Sequence, residues 1–442
     1  MKRWLLAGLL ALAVILLLSP GIVGLIAERS IERQLENAAA RDPGYAVTTA
    51  RFDRGWFTSA GQHRVPLRDP RVLEVIETLR PGATTGDAPP VLVITSHVDH
   101  GLLPVGAAAR DPAAAMPALA SGVSTLALEL ADGTTIALPG ELESRIGISG
   151  AARLRYRLPG GEWTFDGTTA TGDALAVTAD VSADGRDVSL LASLAGWQVA
   201  GPSISLDIES ASLDWDATMT RVGLPLGSGE LRAVGLRLVG GGRNLAFDSL
   251  AIGTDSRLDG DHVNADWRIR LEGLAVADRR YDARLEGNAY GDAAATATLI
   301  RRLERAAETS TGAPPAGELP YPGAADDLRR LLAAGSRLRI DSLQVTTPHG
   351  PIEIALQLET PAIDETPDWP GIALATEGFA DVTLPRALVD SSPDIQSRLL
   401  PFIAGGFLRI EGDTYRLRAE YARGLLTVNG APLPIPLGGA AR

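Results

Sequence analysis

His97-Val98-Asp99-His100 brings two imidazoles and a carboxylate within four residues, the donor types of a zinc site. On a strand those donors do not converge. His97 and Asp99 face one side and His100 the other. The expected role is therefore a strand end whose polar residues enter a turn. His349-Gly350 reads as a turn between two strands, and Asp261-His262 as the approach to another. Asp214 and Asp216 alternate with Leu213 and Trp215, which puts them on the wet face of a strand, not in a glycosidase pair. Gly240-Gly241-Gly242-Arg243-Asn244 lacks the following helix and lysine of a P-loop and reads as a hairpin turn.

Nucleophilic chemistry is poorly supplied. There is no G-x-S-x-G elbow. Cysteine is absent and the one lysine is Lys2, so thiol and lysine catalysis have no residues to use. No catalytic residue, metal ligand or cofactor is assigned, and the expectation is a protein that is not an enzyme. The net charge of −13 argues against binding a nucleic-acid backbone and suits an exported, self-repelling body.

The elements that would position any site begin with a membrane signal. Met1-Lys2-Arg3 is basic, and Trp4 to Ile26 carries no charge. As a helix this run spans about 34 Å, enough for a bilayer core. The sequence around Ala27 is a poor signal-peptidase site, so residues 1–26 are read as an uncleaved anchor. Lys2 and Arg3 stay cytoplasmic by the positive-inside bias, which puts the C-terminal body in the periplasm of a bacterial cell. Residues 27–42 read as a membrane-proximal helix, with Ile31, Leu35 and Ala38 on one face.

From 43 to 442 the period becomes two. Ile204, Leu206 and Ile208 alternate with polar residues. So do Trp267, Ile269 and Leu271, then Ile352, Ile354, Leu356 and Leu358, then Tyr415, Leu417, Ala419 and Tyr421. This is the pattern of antiparallel strands with one apolar and one wet face. Turns at Asp132-Gly133, Gly160-Gly161, Asp184-Gly185 and Gly412-Asp413 favour hairpins. The apolar phase slips between Ile340 and Leu343, which predicts a β-bulge at Asp341-Ser342. Helices are expected at Pro70 to Leu79, 290–308, 324–334 and after Ser392-Pro393, the last with Ile395, Leu399 and Phe402 on one stripe. The proline-rich 309–323 segment is the candidate sub-boundary. The fold class is mainly β: an elongated, curved antiparallel sheet with a few peripheral helices, preceded by one transmembrane helix.

Several short motifs recur in order along the chain. They are Arg54-Gly55-Trp56-Phe57-Thr58-Ser59, His100-Gly101, Leu224-Pro225-Leu226-Gly227-Ser228-Gly229, the strand–turn–strand stretch Leu338 to Leu358 around Thr347-Pro348-His349-Gly350, Gly405-Gly406-Phe407, and Gly424 to Gly430 ending in Asn429-Gly430. With the N-terminal anchor they resemble the YdgA-like family of bacterial inner-membrane-anchored proteins, a domain of unknown function. Leu102 stands where that family tends to have proline after His-Gly. The resemblance implies an exported β-rich protein and gives Arg54, Gly55, Trp56, Phe57, His100, Gly101, Asn429 and Gly430 a structural role. At the level of fold, the anchor and long β body also look like AsmA-type envelope proteins, which present a hydrophobic groove to lipid. The resulting expectation is a single-pass inner-membrane protein whose apolar β face takes lipid-like molecules. The alternative is an assembly module that self-associates or binds an envelope partner.

Overall fold

The computed structural model describes residues 48–433, apart from 56, 69, 80–82, 85–87, 101–117, 166, 203, 241–242, 277–278, 310–322 and 364–367. The anchor at 1–26 and the helix at 27–42 lie outside the described residues, as do Trp56, Gly101 and most of 309–323. Among the described residues no helix is long and apolar enough to cross a membrane. Among the described residues strand dominates, with twenty-two strands and six helices. The chain divides into two units, Met1–Asp216 with Leu238–Arg243, and Ala217–Arg237 with Asn244–Arg442.

The first unit opens with β1 (Thr48–Arg54), β2 (Thr58–Pro66), α1 (Pro70–Leu79) and β3 (Val91–His100). β4 (Ala118–Glu129), β5 (Thr135–Gly147), β6 (Ala152–Leu158), β7 (Gly161–Phe165), β8 (Thr168–Gly172), β9 (Leu175–Val181) and β10 (Asp187–Ala200) follow. β1 to β6 pair antiparallel in sequence order. β9 then lies between β6 and β10, and β8 between β10 and β7. The predicted Asp-Gly turns join neighbours, with Gly133 and Gly185 at φ +81° and +70°. A left-handed residue there is what a tight hairpin needs and glycine supplies without steric cost.

Next come β11 (Ile204–Met219) and β12 (Pro225–Gly240). On β11, Asp214 and Asp216 are exposed and Leu213 and Trp215 are not, as the alternation requires. The second unit continues with β13 (Arg243–Asp259), β14 (His262–Val276), β15 (Arg279–Asp292), α2 (Ala293–Thr309), α3 (Ala324–Ala333), β16 (Ser336–Thr347) and β17 (Gly350–Thr360). It closes with α4 (Trp369–Ala375), β18 (Glu377–Pro385), α5 (Arg386–Ser391), α6 (Pro393–Ala404), β19 (Arg409–Glu411), β20 (Thr414–Ala422), β21 (Leu425–Val428) and β22 (Ala431–Leu433). β13 to β18 pair antiparallel in order, and β20 adds to β18.

The predicted bulge is present. Ile340 pairs with Leu356 but Leu343 with Ile354, so β16 carries one extra residue. The slip returns the aliphatic residues of β16 to the face used by β17. The α6 stripe differs from expectation. Ile395, Leu399 and Ile403 pack inward, whereas Phe402 is 49% exposed. The inward positions are thus i, i+4 and i+8, which spread over about 80° of the helix and still fit an apolar stripe about 100° wide.

The wet face is held by ion pairs. Asp381 on β18 accepts from Arg416 Nε at 3.0 Å and Nη2 at 2.6 Å, and from Arg418 Nη2 at 3.2 Å. The Arg416 hydrogen bonds hold the Asp381 carboxyl below the usual carboxylate range against the opposing effect of burial. A carboxylate with a depressed folded pKa stabilises above its unfolded pKa and loses that contribution as pH falls through the folded one. Asp381→Asn should therefore melt a few degrees below wild type at pH 7. The gap should close on acidification below the ordinary carboxylate pKa of about 4. Thermal melts of both proteins across pH check this.

Candidate functional site

The N-terminal motif builds a tight corner. The Gly55 N–H donates to the Thr58 carbonyl at 2.7 Å, and a Cβ on Gly55 would come within 2.8 Å of that oxygen. The corner turns β1 into β2 and sets Ser59 opposite Val98 of β3. Ser59 Oγ then lies 2.6 Å from His100 Nε2. The His100 N–H also donates to the Phe57 carbonyl at 2.7 Å. Two motifs 41 residues apart are thus joined by one side-chain and one backbone hydrogen bond.

Serine and histidine at that distance have the geometry of a nucleophile and its base. Ser59 and His100 are only 2% and 4% exposed, however, so this pair acts as an interior pin. The sequence placed these polar groups in a turn. In the structure β3 runs through His100, and Asp99 and His100 are both buried. His97 Nε2 stands 3.8 Å from Asp99 Oδ1 and is half exposed. Among the described residues no group of three His, Cys, Asp or Glu could hold a metal ion. Phe57 is 52% exposed and the Arg54 backbone ends β1. Ser59 was within the motif quoted from sequence, but its partner became visible only once β2 and β3 paired.

The C-terminal motif is a second pin. Asn429 and Gly430 have φ +50° and +79° and join Val428 to Ala431, a two-residue hairpin turn of the type Asn-Gly favours. The Asn429 N–H donates to the Arg418 carbonyl at 2.7 Å, and Asn429 Oδ1 accepts from the Arg418 N–H at 2.9 Å. Asn429 Nδ2 donates to the Phe407 carbonyl at 2.8 Å, tying in the Gly405-Gly406-Phe407 motif. In the Thr347-Pro348-His349-Gly350 turn, Thr347 Oγ1 donates to the Gly350 carbonyl and accepts from the His349 N–H.

The remaining candidate is the apolar face of the second unit. Cross-strand partners align Ile252, Ile269, Leu285, Leu343, Ile354, Val382 and Leu417 in one row over seven strands. Helices cover two corners of this face. α2 packs Ala293 and Ala297 on Val263, and α5 and α6 pack on Leu384, Tyr415 and Leu417. No member of the row is buried, and Leu338 and Leu358, opposite each other on the same face, are 38% and 39% exposed.

A family model described as a bacterial protein of unknown function (DUF945) matches residues 1–436. The chain belongs to the DUF945 family. No curated protein and no solved structure matches it. In this DUF945 member Gly55, Ser59, His100, Asn429 and Gly430 sit in turns and hydrogen bonds, and the aliphatic row lies elsewhere, on β13 to β18 and β20. Ser59→Ala removes the hydroxyl from His100 in a dry site, which should cost about 1–3 kcal/mol of stability. Denaturant unfolding measures it; an unchanged midpoint would mean that Ser59 and His100 do not hold β2 to β3.

Proposed function

We propose that this protein is a single-pass, inner-membrane-anchored periplasmic protein that binds lipid-like molecules on the apolar face of its second unit, without catalysing a reaction. The observation that carries the reading is the seven-residue aliphatic row, none of it buried. Each partly exposed aliphatic side chain forgoes about 0.5 kcal/mol of transfer free energy. Over the row this reaches about 3–4 kcal/mol, a sizeable fraction of the net stability of a domain, about 5–15 kcal/mol. An acyl chain laid across the strands would recover it. The uncharged stretch from Trp4 to Ile26 behind Lys2-Arg3 supports the anchor and its orientation. Interior placement of Ser59 and His100 supports the non-enzymatic reading.

Ile354→Asp at the centre of the row is the discriminating variant. On an open face the carboxylate stays hydrated. The expected result is a melting temperature within a few degrees of wild type, with loss of the lipid seen by native mass spectrometry. A dry, closed core would instead give collapse of the fold. A stable variant that keeps its lipid would refute the proposal. A shift to smaller oligomers without lipid loss would favour the self-associating assembly module.

The anchor has its own test. A reporter that is active only in the periplasm, fused at the C-terminus, should be active, and the mature protein should begin at Met1 or Lys2. A mature N-terminus at Glu28 or later would refute the uncleaved anchor.

A further inference from the structure

The wet face of the second unit carries a feature that neither the family nor the lipid reading assigns. A cleft of about 540 Å³ opens between β13, β14, β15 and β16, within the size range of small-ligand sites. Its shape comes from a bulge. Leu271 pairs with Ala283 and Leu274 with Tyr281, so Glu272 and Gly273 add one residue to β14. Gly273 has φ +66°, and a Cβ there would collide with the Asp248 carboxylate. Bulges of this kind bend a strand and re-aim its side chains.

The acidic groups lining the cleft are all engaged. Asp248 Oδ2 accepts from Arg280 Nη1 at 2.9 Å. Asp282 Oδ1 accepts from the Gly273 N–H at 2.8 Å. Glu272 Oε2 accepts from Ser249 Oγ at 2.8 Å.

The basic groups are not all engaged. Arg270 and Arg284 stand directly opposite each other on β14 and β15. Like charges in that position oppose strand pairing. Arg284 is turned along its own strand to Glu286, with contacts of 2.6 and 3.0 Å. Arg270 makes no hydrogen bond or ion pair among the described residues, although Glu286 is near enough to feel its charge. A cleft in a protein of net charge −13 thus holds two committed guanidinium groups and one uncommitted one.

We propose that this cleft binds a phosphate group, with Arg270 as its principal donor and Arg280 and Arg284 beside it. A guanidinium fork matches two phosphate oxygens, and the added negative charge would relieve the facing Arg270–Arg284 pair. The chemistry is common to free phosphate and to a phospholipid headgroup. The inference does not rest on the apolar-face reading, because alternate residues of β14 point to opposite faces.

The test uses the full chain in detergent at physiological salt. Inorganic phosphate and glycerophosphoglycerol, a deacylated phosphodiester headgroup, are titrated by calorimetry. At least one should bind. Arg270→Gln should weaken that binding at least about tenfold, while Arg268→Gln, on the same strand and face but outside the cleft lining, should change it less than about twofold. Arg270→Gln should melt within a few degrees of wild type without ligand, since it removes the like-charge contact with Arg284 along with the weaker attraction to Glu286, so lost binding would not reflect unfolding. Binding of the diester alone would identify a lipid headgroup as the source, and comparable binding of inorganic phosphate a free anion. No binding of either probe at millimolar concentration, or equal weakening by Arg268→Gln and Arg270→Gln, would overturn the proposal.

Discussion

Everything in the second unit depends on keeping one strand phase across seven antiparallel neighbours. A one-residue slip anywhere would move an aliphatic side chain to the wet face and a charge to the apolar one. The row from Ile252 to Leu417 shows that the phase is kept. It is kept with the help of bulges. The extra residue of β16 lies between Ile340 and Leu343, and that of β14 at Glu272-Gly273. The first restores the aliphatic face; the second shapes the arginine-lined cleft on the other side. One device serves registry on one face and concavity on the other.

The pins act on the same constraint from a different direction. Strands that leave an apolar face partly open have less burial to hold them together, so directional bonds matter more. Ser59 to His100 fastens β2 to β3 in the first unit. Asn429 fastens β20 and the Gly405-Gly406-Phe407 corner in the second. The Ser59–His100 bond satisfies buried groups that would otherwise be desolvated without compensation. The arginines of the cleft lie outside the recognisable sequence motifs, whereas Leu343 and Ile354 of the aliphatic row lie on the strands that flank the Thr347-Pro348-His349-Gly350 turn. The aliphatic row and the arginine-lined cleft lie on opposite faces of the same strands, so a molecule on one need not displace a molecule on the other.

Local periodicity was enough to read the β-rich class, the hairpin turns at Asp132-Gly133, Asp184-Gly185 and Gly412-Asp413, the wet placement of Asp214 and Asp216, and the bulge in β16; the Gly160-Gly161 turn instead joins β6 to β7, which pair with other strands. The reason is physical: alternation and turn chemistry act over two to four residues, and a phase slip is visible in the chain itself. Pairing at long range was not legible. Nothing near Ser59 announces His100, and nothing near Arg270 announces Arg284, because each contact exists only after strands pair in one register. Burial behaved likewise. His97-Val98-Asp99-His100 looked like a polar strand end, but β3 continues through His100, with Asp99 and His100 buried and His97 half exposed. The Phe402 position of α6 differs for a related reason: both i+7 and i+8 fall within a broad helical stripe, and the cluster of Val389, Leu408 and Tyr415 takes Ile403. Which apolar side chains would be covered and which left open rested on where α2, α5 and α6 dock, a choice made by contacts between elements and not by any one of them.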